Sequence, residues 1–230
     1  MNINSTGVTG MKIDNISDTE YVVSELFVDD IVNQRYCVFD FEATGIIPET
    51  EHITQIGAII IEHGRIQETR TFNTLVKSPK PIPEPVERHT GIYNDDIAYA
   101  PLLHEVYDDF LAFAGDCILV THAGYEFDLP LLAKECRRSG LPMILNKCLD
   151  TKALFSYLHP EIEAIIWTDY LIKHYEVSDR DLKRHDALAD SILIGRIFLR
   201  MMEEFLARDI RSIAFKDHVR VKRFQVVPLA

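Results

Sequence analysis

The sequence has 230 residues, of which 47% are hydrophobic and 26% are charged, a composition typical of a globular domain. Its formal net charge of −12 argues against broad, non-specific coating of nucleic acid, which requires a basic surface. No apolar run approaches the roughly 20 residues that span a bilayer. The four cysteines are widely spaced and form no disulfide or zinc pattern. We therefore expect a cytoplasmic protein with reduced thiols and no membrane partner.

Residues 1–34 precede the first long apolar run and are expected to form an N-terminal extension. Ser17 and Glu20 stand at the spacing of a capping box, and apolar residues follow at a partly helical spacing. This pattern predicts a short helix from about residue 18 to 32. The first 30 residues carry six acidic side chains against one lysine, which argues against contact with phosphate groups.

Three apolar, β-branched segments then follow with short turns between them. Residues 35–42, 55–62 and 65–77 have strand character, and His63 with Gly64 forms a tight turn between the last two. Short connections of this kind join antiparallel neighbours. The sequence therefore predicts a three-stranded antiparallel meander.

Helices and strands alternate in the rest of the chain, after a proline-rich loop and a brief turn over 84–89. The predicted helices are 101–115, 126–139, 151–158, 163–175 and 187–206, and the predicted strands are 117–121 and 144–149. This order predicts an α/β domain over 35–207, with a mixed central sheet flanked by helices. A basic C-terminal tail, 208–230, follows it. The tail is interpreted either as a structural edge strand with solvated charges or as a support for a nucleic-acid backbone.

Two acidic residues stand at the end of the first predicted strand. Side chains repeat with a period of two along a strand, so Asp40 and Glu42 project from the same face. Two neighbouring carboxylates repel one another and are costly to remove from water. A divalent cation such as Mg²⁺, which prefers oxygen ligands, would offset that cost.

Two further stretches also contain closely spaced acidic residues, each together with a histidine. They are H-A-G-Y-E-F-D over 122–128, which opens a predicted helix, and H-D-A-L-A-D over 185–190, at the start of the last one. With D-F-E over 40–42, they resemble the motifs of the DEDDh (DnaQ-like) 3′→5′ exonucleases. This family includes polymerase III epsilon-type proofreading subunits, RNase T and oligoribonuclease. The resemblance covers roughly residues 35–206 and implies a ribonuclease H-like fold.

The resemblance also implies roles for individual residues. Asp40, Glu42, Asp128 and Asp190 would be the ligands of two Mg²⁺ or Mn²⁺ ions, and His185 would be the general base. Two metal ions can generate the nucleophile and stabilise the leaving oxygen in phosphodiester hydrolysis. The substrate-binding residues implied by the family are Ala43, Thr44, Gly45, His89 and Ile92.

One departure from the polymerase subunits is visible between His122 and Asp128. This interval holds one residue more, and Ala123 replaces the usual asparagine. The longer spacing is similar to that of the animal three-prime repair exonucleases. This difference does not affect the implied role of Asp128 as a metal ligand.

Several other residues are assigned structural roles. His122 is interpreted as structural, Trp167 and Tyr170 as core residues, and Asp150 as a helix N-cap. Three basic residues near the end of the predicted helix over 126–139 are interpreted as interacting favourably with the helix dipole. They are Lys134, Arg137 and Arg138.

The predicted function is a metal-dependent 3′→5′ exonuclease on single-stranded DNA or RNA, with DNA favoured and nucleoside 5′-monophosphates as products. A DNA polymerase is a candidate partner, and the oligomeric state stays open. One alternative is an RNA-processing exonuclease of the RNase T or oligoribonuclease type. The other is a non-catalytic, polymerase-associated binding module. Because all five motif positions are filled, catalysis is favoured over that module.

Overall fold

A computed structural model describes residues 11–215 and 218–225. The strands are β1 (Lys12–Asn15), β2 (Glu20–Ser24), β3 (Phe27–Val28), β4 (Tyr36–Ala43), β5 (Ile53–Glu62), β6 (Arg65–Leu75), β7 (Ile118–Thr121), β8 (Cys148–Asp150), β9 (Ile213–Ala214) and β10 (Val219–Lys222). The helices are α1 (Glu84–Thr90), α2 (Asn94–Ile97), α3 (Leu103–Ala114), α4 (Asp128–Ser139), α5 (Thr151–Leu158), α6 (Thr168–His174) and α7 (Ala187–Ala207).

The central sheet has five strands in the order β6-β5-β4-β7-β8. β4, β5 and β6 are antiparallel, which confirms the predicted meander, and β7 and β8 run parallel to β4. The sheet is thus mixed and flanked by helices, as predicted. Nine of the ten β5 residues are buried, so this strand lies within the core.

The two faces of β4 pack against different helices. Tyr36 packs edge-to-face against Phe198 of α7, while Phe39 and Phe41 pack against Phe110 of α3. Because side chains alternate along a strand, the even-numbered residues of β4 face α7. Asp40 and Glu42 therefore lie on the face that α7 covers.

The start of α7 is held against β5 by close contacts. Gln55 accepts a hydrogen bond from the backbone N–H of Ala187 and donates one to the Asp186 carboxylate, each at 3.0 Å. Ser191 donates to the carbonyl of Gly57, also at 3.0 Å. A Cβ atom on Gly57 would lie 2.1 Å from the carbonyl carbon of Ala187, so the helix approaches at a distance that only glycine permits.

The N-terminal segment forms strands, so the predicted helix over 18–32 is wrong. β2 pairs with β1 on one side and with β10 on the other, both antiparallel. Glu20 forms ion pairs with Arg220 and Lys222 of β10, while Ser17 accepts a hydrogen bond from Thr19 in a local turn. The residues after Glu20 are rich in β-branched and aromatic side chains, which favour a strand. Pairing with β10, about 200 residues away, stabilises this strand more than the capping pattern would stabilise a helix.

β10 confirms the strand character of the tail, and both of its basic residues, Arg220 and Lys222, pair with Glu20. Residues 216–217 and 226–230 of the tail lie outside the described residues. Elsewhere the boundaries shift modestly. The predicted helix over 163–175 narrows to α6, the predicted strand over 144–149 becomes β8, and a helix, α1, forms where only a turn was predicted.

All four cysteines are buried and unbridged, as expected of reduced core thiols. In the part of the chain that the structure describes, no helix has the length and apolar character needed to cross a bilayer.

Replacing Gly57 with alanine tests the contact between β5 and α7. Because the added methyl group would meet helix backbone rather than a movable side chain, Gly57→Ala should lower the free energy of unfolding by about 1–3 kcal/mol. Urea denaturation measures this change. Gly195→Ala is the control, since its Cβ would meet only side-chain methyl groups, the nearest that of Ile59 at 2.8 Å, and alanine is favoured inside a helix. Equal stability of the two variants would contradict the close approach.

Candidate active site

Three carboxylates from two elements meet at one end of the central sheet. Asp40 and Glu42 come from the end of β4, and Asp190 comes from the first turn of α7. One oxygen atom of each lies within 4.8 Å of the others. Residues 150 positions apart are thus brought together by the contact between α7 and the sheet.

Burial and mutual repulsion disfavour the ionised form of these carboxyls. Burial raises the pKa of Asp40 well above its usual range, and the charges of Asp128 and Glu42 raise it further. The pKa of Glu42 is raised to about 8, mainly by burial and then by the charge of Asp190. A bound cation would offset this cost by stabilising the ionised forms.

Asp190 is only partly satisfied by protein groups. Its Oδ2 atom accepts a hydrogen bond of 2.8 Å from the backbone N–H of His185. Its Oδ1 atom is buried and has no hydrogen-bond partner among the described residues, although the Arg184 Nε atom lies 3.3 Å away. A buried oxygen with spare acceptor capacity is suited to a metal ion.

Asp128 stands beside this group rather than within it. Its carboxylate accepts a hydrogen bond of 2.7 Å from the Thr121 hydroxyl, and burial raises its pKa to about 7. Asp128 and Asp40 line the same cleft, of about 400 Å³. The structure therefore brings Asp40, Glu42 and Asp190 into one compact group, with Asp128 as a neighbour that acts on Asp40 through its charge.

His185 lies at the entry to α7 in an uncommon backbone conformation. Its φ angle is +60°, in the left-handed region. Its ring lies against that of His89, with 3.7 Å between ring centroids. Burial lowers the pKa of His185 to about 4, and the neighbouring His89 and Arg184 contribute. The ring is therefore neutral near pH 7, the form that can accept a proton.

The donor set fits hard divalent cations. It consists of carboxylate oxygens, and one of them, Asp190 Oδ1, accepts no hydrogen bond from the residues described. Such ligands suit Mg²⁺ or Mn²⁺ better than softer metals.

A sequence profile for the RNase T exonuclease family matches residues 37–198. The chain belongs to this exonuclease family. The match covers β4 through most of α7, and it includes all three carboxylates of the compact group. Membership implies a nuclease that uses divalent metal ions.

Polymerase III proteins are among the relatives of this chain. The epsilon subunit of Aquifex aeolicus is 30% identical over 176 residues, which cover 76% of this chain and 84% of that protein. The PolC-type polymerase of Caldanaerobacter subterraneus is 31% identical over 189 residues, which cover 82% of this chain but only 13% of the polymerase.

Solved nucleases share the fold of this chain. The nuclease domain of 3′hExo, a DEDDh family member bound to rAMP, aligns with a TM-score of 0.66 at 20% identity, over 77% of this chain and 95% of that one. E. coli Exonuclease I in complex with a dT13 oligonucleotide aligns with a TM-score of 0.63 at 14% identity, over 76% and 42%. The ribonuclease H-like fold is thus confirmed.

The predicted substrate residues fall in three places. Ala43, Thr44 and Gly45 continue directly from Glu42, but the Thr44 hydroxyl is used internally, donating to Glu51 at 2.5 Å. His89 reaches the site through its contact with His185. Ile92 is buried with Ile82 and Ile97 in a small apolar cluster of its own.

The contacts of Asp150 and His122 agree with the structural roles predicted for them. Asp150 caps α5 by accepting from the Lys152 N–H at 2.8 Å. His122 Nδ1 lies 2.8 Å from the Thr151 hydroxyl. Its Nε2 atom is buried and has no hydrogen-bond partner among the described residues. Tyr170 is half-buried and packs against the core, as predicted.

The core assignment of Trp167 is wrong. Its side chain is 46% exposed, and it lines the same cleft as Asp40 and Asp128. Phe224, from the C-terminal tail, lies in that cleft as well. Sequence reasoning missed both residues. The available signal was a lone tryptophan, together with an aromatic residue in a basic tail.

The raised carboxyl pKa values predict how the stability of the metal-free domain depends on pH. A carboxyl whose pKa is higher in the folded state binds protons preferentially there. In EDTA, the contribution of Glu42 and Asp128 should be fully present below about pH 4 and lost as the pH rises through about 7 to 8. Urea denaturation between pH 5 and 8.5 measures this loss.

A matched Asp128→Asn, Glu42→Gln double variant should lose most of this pH dependence. Adding Mg²⁺ to the wild-type protein should restore stability at pH 8, because the ion binds only the folded state. A wild-type stability that rises between pH 6 and 8 in EDTA would contradict the raised pKa values.

Proposed function

We propose that the chain is a divalent-metal-dependent 3′→5′ exonuclease that acts on single-stranded nucleic acid, with DNA favoured, and releases nucleoside 5′-monophosphates. The observation that carries this proposal is the compact group of Asp40, Glu42 and Asp190. Its oxygens are close together and partly buried, and Asp128 adds a fourth acid at its edge. We place the catalytic domain at 35–207, in a cytoplasmic protein.

The preference for DNA is supported by the relatives. Those named above are DNA polymerase III proteins. The chain spans only 13% of the PolC-type relative, so a partnership with a DNA polymerase is likewise part of the proposal. The structural neighbours include proteins bound to rAMP and to dT13. An RNA-processing exonuclease is therefore kept as the second candidate.

In the proposed mechanism, Asp40, Glu42, Asp128 and Asp190 would hold two Mg²⁺ or Mn²⁺ ions, which would supply charge stabilisation for the reaction. The neutral ring of His185 takes a proton from the attacking water. Water attacks phosphorus, and the bond from phosphorus to the O3′ atom of the preceding nucleotide breaks. That O3′ atom takes up a proton from solvent, and the phosphate stays on the O5′ atom of the released nucleotide.

The remaining predicted residues are assigned to the terminal nucleotide. Ala43, Thr44 and Gly45 follow the metal-binding strand and would form its seat through their backbone. His89 and Ile92 would form the opposite wall. A non-catalytic module is disfavoured because the acids and His185 are all present, and because three of the acids converge.

Matched DNA and RNA oligomers, labelled at the 5′ end, test the proposed activity. With Mg²⁺ or Mn²⁺, the wild-type protein should shorten the DNA oligomer from its 3′ end, one nucleotide at a time, faster than the RNA. EDTA should abolish this activity. Faster loss of the RNA oligomer would select the second candidate, and no shortening of either would contradict catalysis.

Two variants separate metal binding from proton transfer. Asp40→Asn should reduce the rate by several orders of magnitude, because it removes a metal ligand. His185→Ala should reduce it by about 10²–10⁴-fold, the usual share of general-base catalysis, while leaving Mg²⁺-dependent stabilisation intact. A His185→Ala variant with a near-normal rate would show that another group accepts the proton.

A further inference from the structure

Trp167 and Phe224 form a stacked pair at the rim of the carboxylate cleft. Their ring centroids are 4.1 Å apart, and the ring planes differ by 9°. Trp167 immediately precedes α6, and Phe224 follows β10, so the pair joins the C-terminal tail to the catalytic domain. Such a large parallel surface beside an active site is unexpected if the tail is only a structural strand.

The faces of Phe224 are both occupied. The Lys152 ammonium lies 3.6 Å from its ring centroid, and a parallel ring covers one face, so the cation lies over the other. The Lys152 ammonium also pairs with Glu126, and Glu126 accepts a hydrogen bond of 2.9 Å from the Phe224 backbone N–H. Phe224 is therefore fixed in place.

Trp167 is the outer member of this stack. Phe224 covers one face of the indole, and the side chain remains 46% exposed. An exposed aromatic face held by a fixed partner is already ordered, so a ligand that stacks on it loses little further side-chain entropy.

The position of the pair relates it to the substrate path. Trp167 and Phe224 line the same cleft as Asp40 and Asp128. A second cleft, of about 470 Å³, shares Glu126 and Arg223 with the first, and its walls include Lys134 and Arg137. A strand that passes the aromatic pair would thus continue toward basic side chains, which suit its phosphates.

We propose that the exposed face of Trp167 is a stacking site for a base of the single-stranded substrate, upstream of the bond that is cleaved, and that Phe224 of the C-terminal tail supports it. The ligand class is an unpaired nucleobase, of either sugar type. This inference rests on the proposed function, because it takes the 3′ end to lie at the carboxylates. Stacking on an aromatic side chain tolerates every base and contributes about 1–3 kcal/mol per base.

Intrinsic fluorescence provides a direct test, because Trp167 is the only tryptophan in the sequence. A ten-nucleotide oligodeoxythymidine is added with Mg²⁺ to the cleavage-deficient Asp40→Asn protein. The indole emission should be quenched as the strand binds. An oligomer of the same length and charge without bases should bind more weakly and cause no comparable quenching.

Variants of the active enzyme give a second measurement. Trp167→Ala should raise KM for the single strand by about 5–150-fold with little change in kcat, whereas Trp167→Phe should stay close to the wild type. Phe27→Ala is the control. Phe27 is an equally exposed aromatic residue, 51% exposed, and its carbonyl accepts from Lys147 beside the start of β8, at the opposite end of the sheet.

Each outcome separates this inference from the proposed function. Normal KM in Trp167→Ala, or equal binding of the oligomers with and without bases, overturns the stacking site even if the enzyme is fully active. Binding and quenching without cleavage by the wild-type protein would overturn the proposed exonuclease activity and leave the stacking site intact. If Trp167→Ala fails to fold, the comparison of the two oligomers decides.

Discussion

The repulsion among partly buried carboxylates is the constraint on which the site depends. Asp40, Glu42 and Asp190 lie within 4.8 Å of one another in a region where burial already disfavours their charge. A fold that only had to be stable would not place three acids together without cations, since each uncompensated charge is costly. The divalent ions of the proposed function would offset that cost.

The rest of the domain holds these acids together against that repulsion. β4 fixes Asp40 and Glu42 on one face, and α7 brings Asp190 to them. Gln55 and Gly57 on the neighbouring strand set the position of the helix start, through two hydrogen bonds and a backbone contact. The stability of the sheet core therefore supplies the free energy that keeps the site assembled.

The parts of the fold that could be predicted are those encoded by local pattern. The alternating, β-branched segments of β4, β5 and β6 gave the meander, and the D-x-E spacing placed Asp40 and Glu42 on one face. The helix over 18–32 was wrong because the strand partner of Glu20–Ser24 is β10, near the other end of the chain. Local spacing carries no information about such a distant partner.

Trp167 illustrates the same limit at the site. An isolated tryptophan that follows two isoleucines is typical of a core, and only the tertiary structure shows that it faces the cleft. Asp128 was identified by its motif, but the motif does not show that it lies beside the compact group, where the Thr121 hydroxyl donates to it. Contacts of this kind follow from the assembled sheet.

The central claim is that this group of carboxylates binds divalent metal ions. Electron paramagnetic resonance of free Mn²⁺ during titration of the protein measures that binding without reference to substrate. The account predicts saturable binding of about two ions per chain, which Asp40→Asn weakens strongly and His185→Ala leaves unchanged. Absence of saturable binding, or binding that is equally strong in Asp40→Asn, would contradict it.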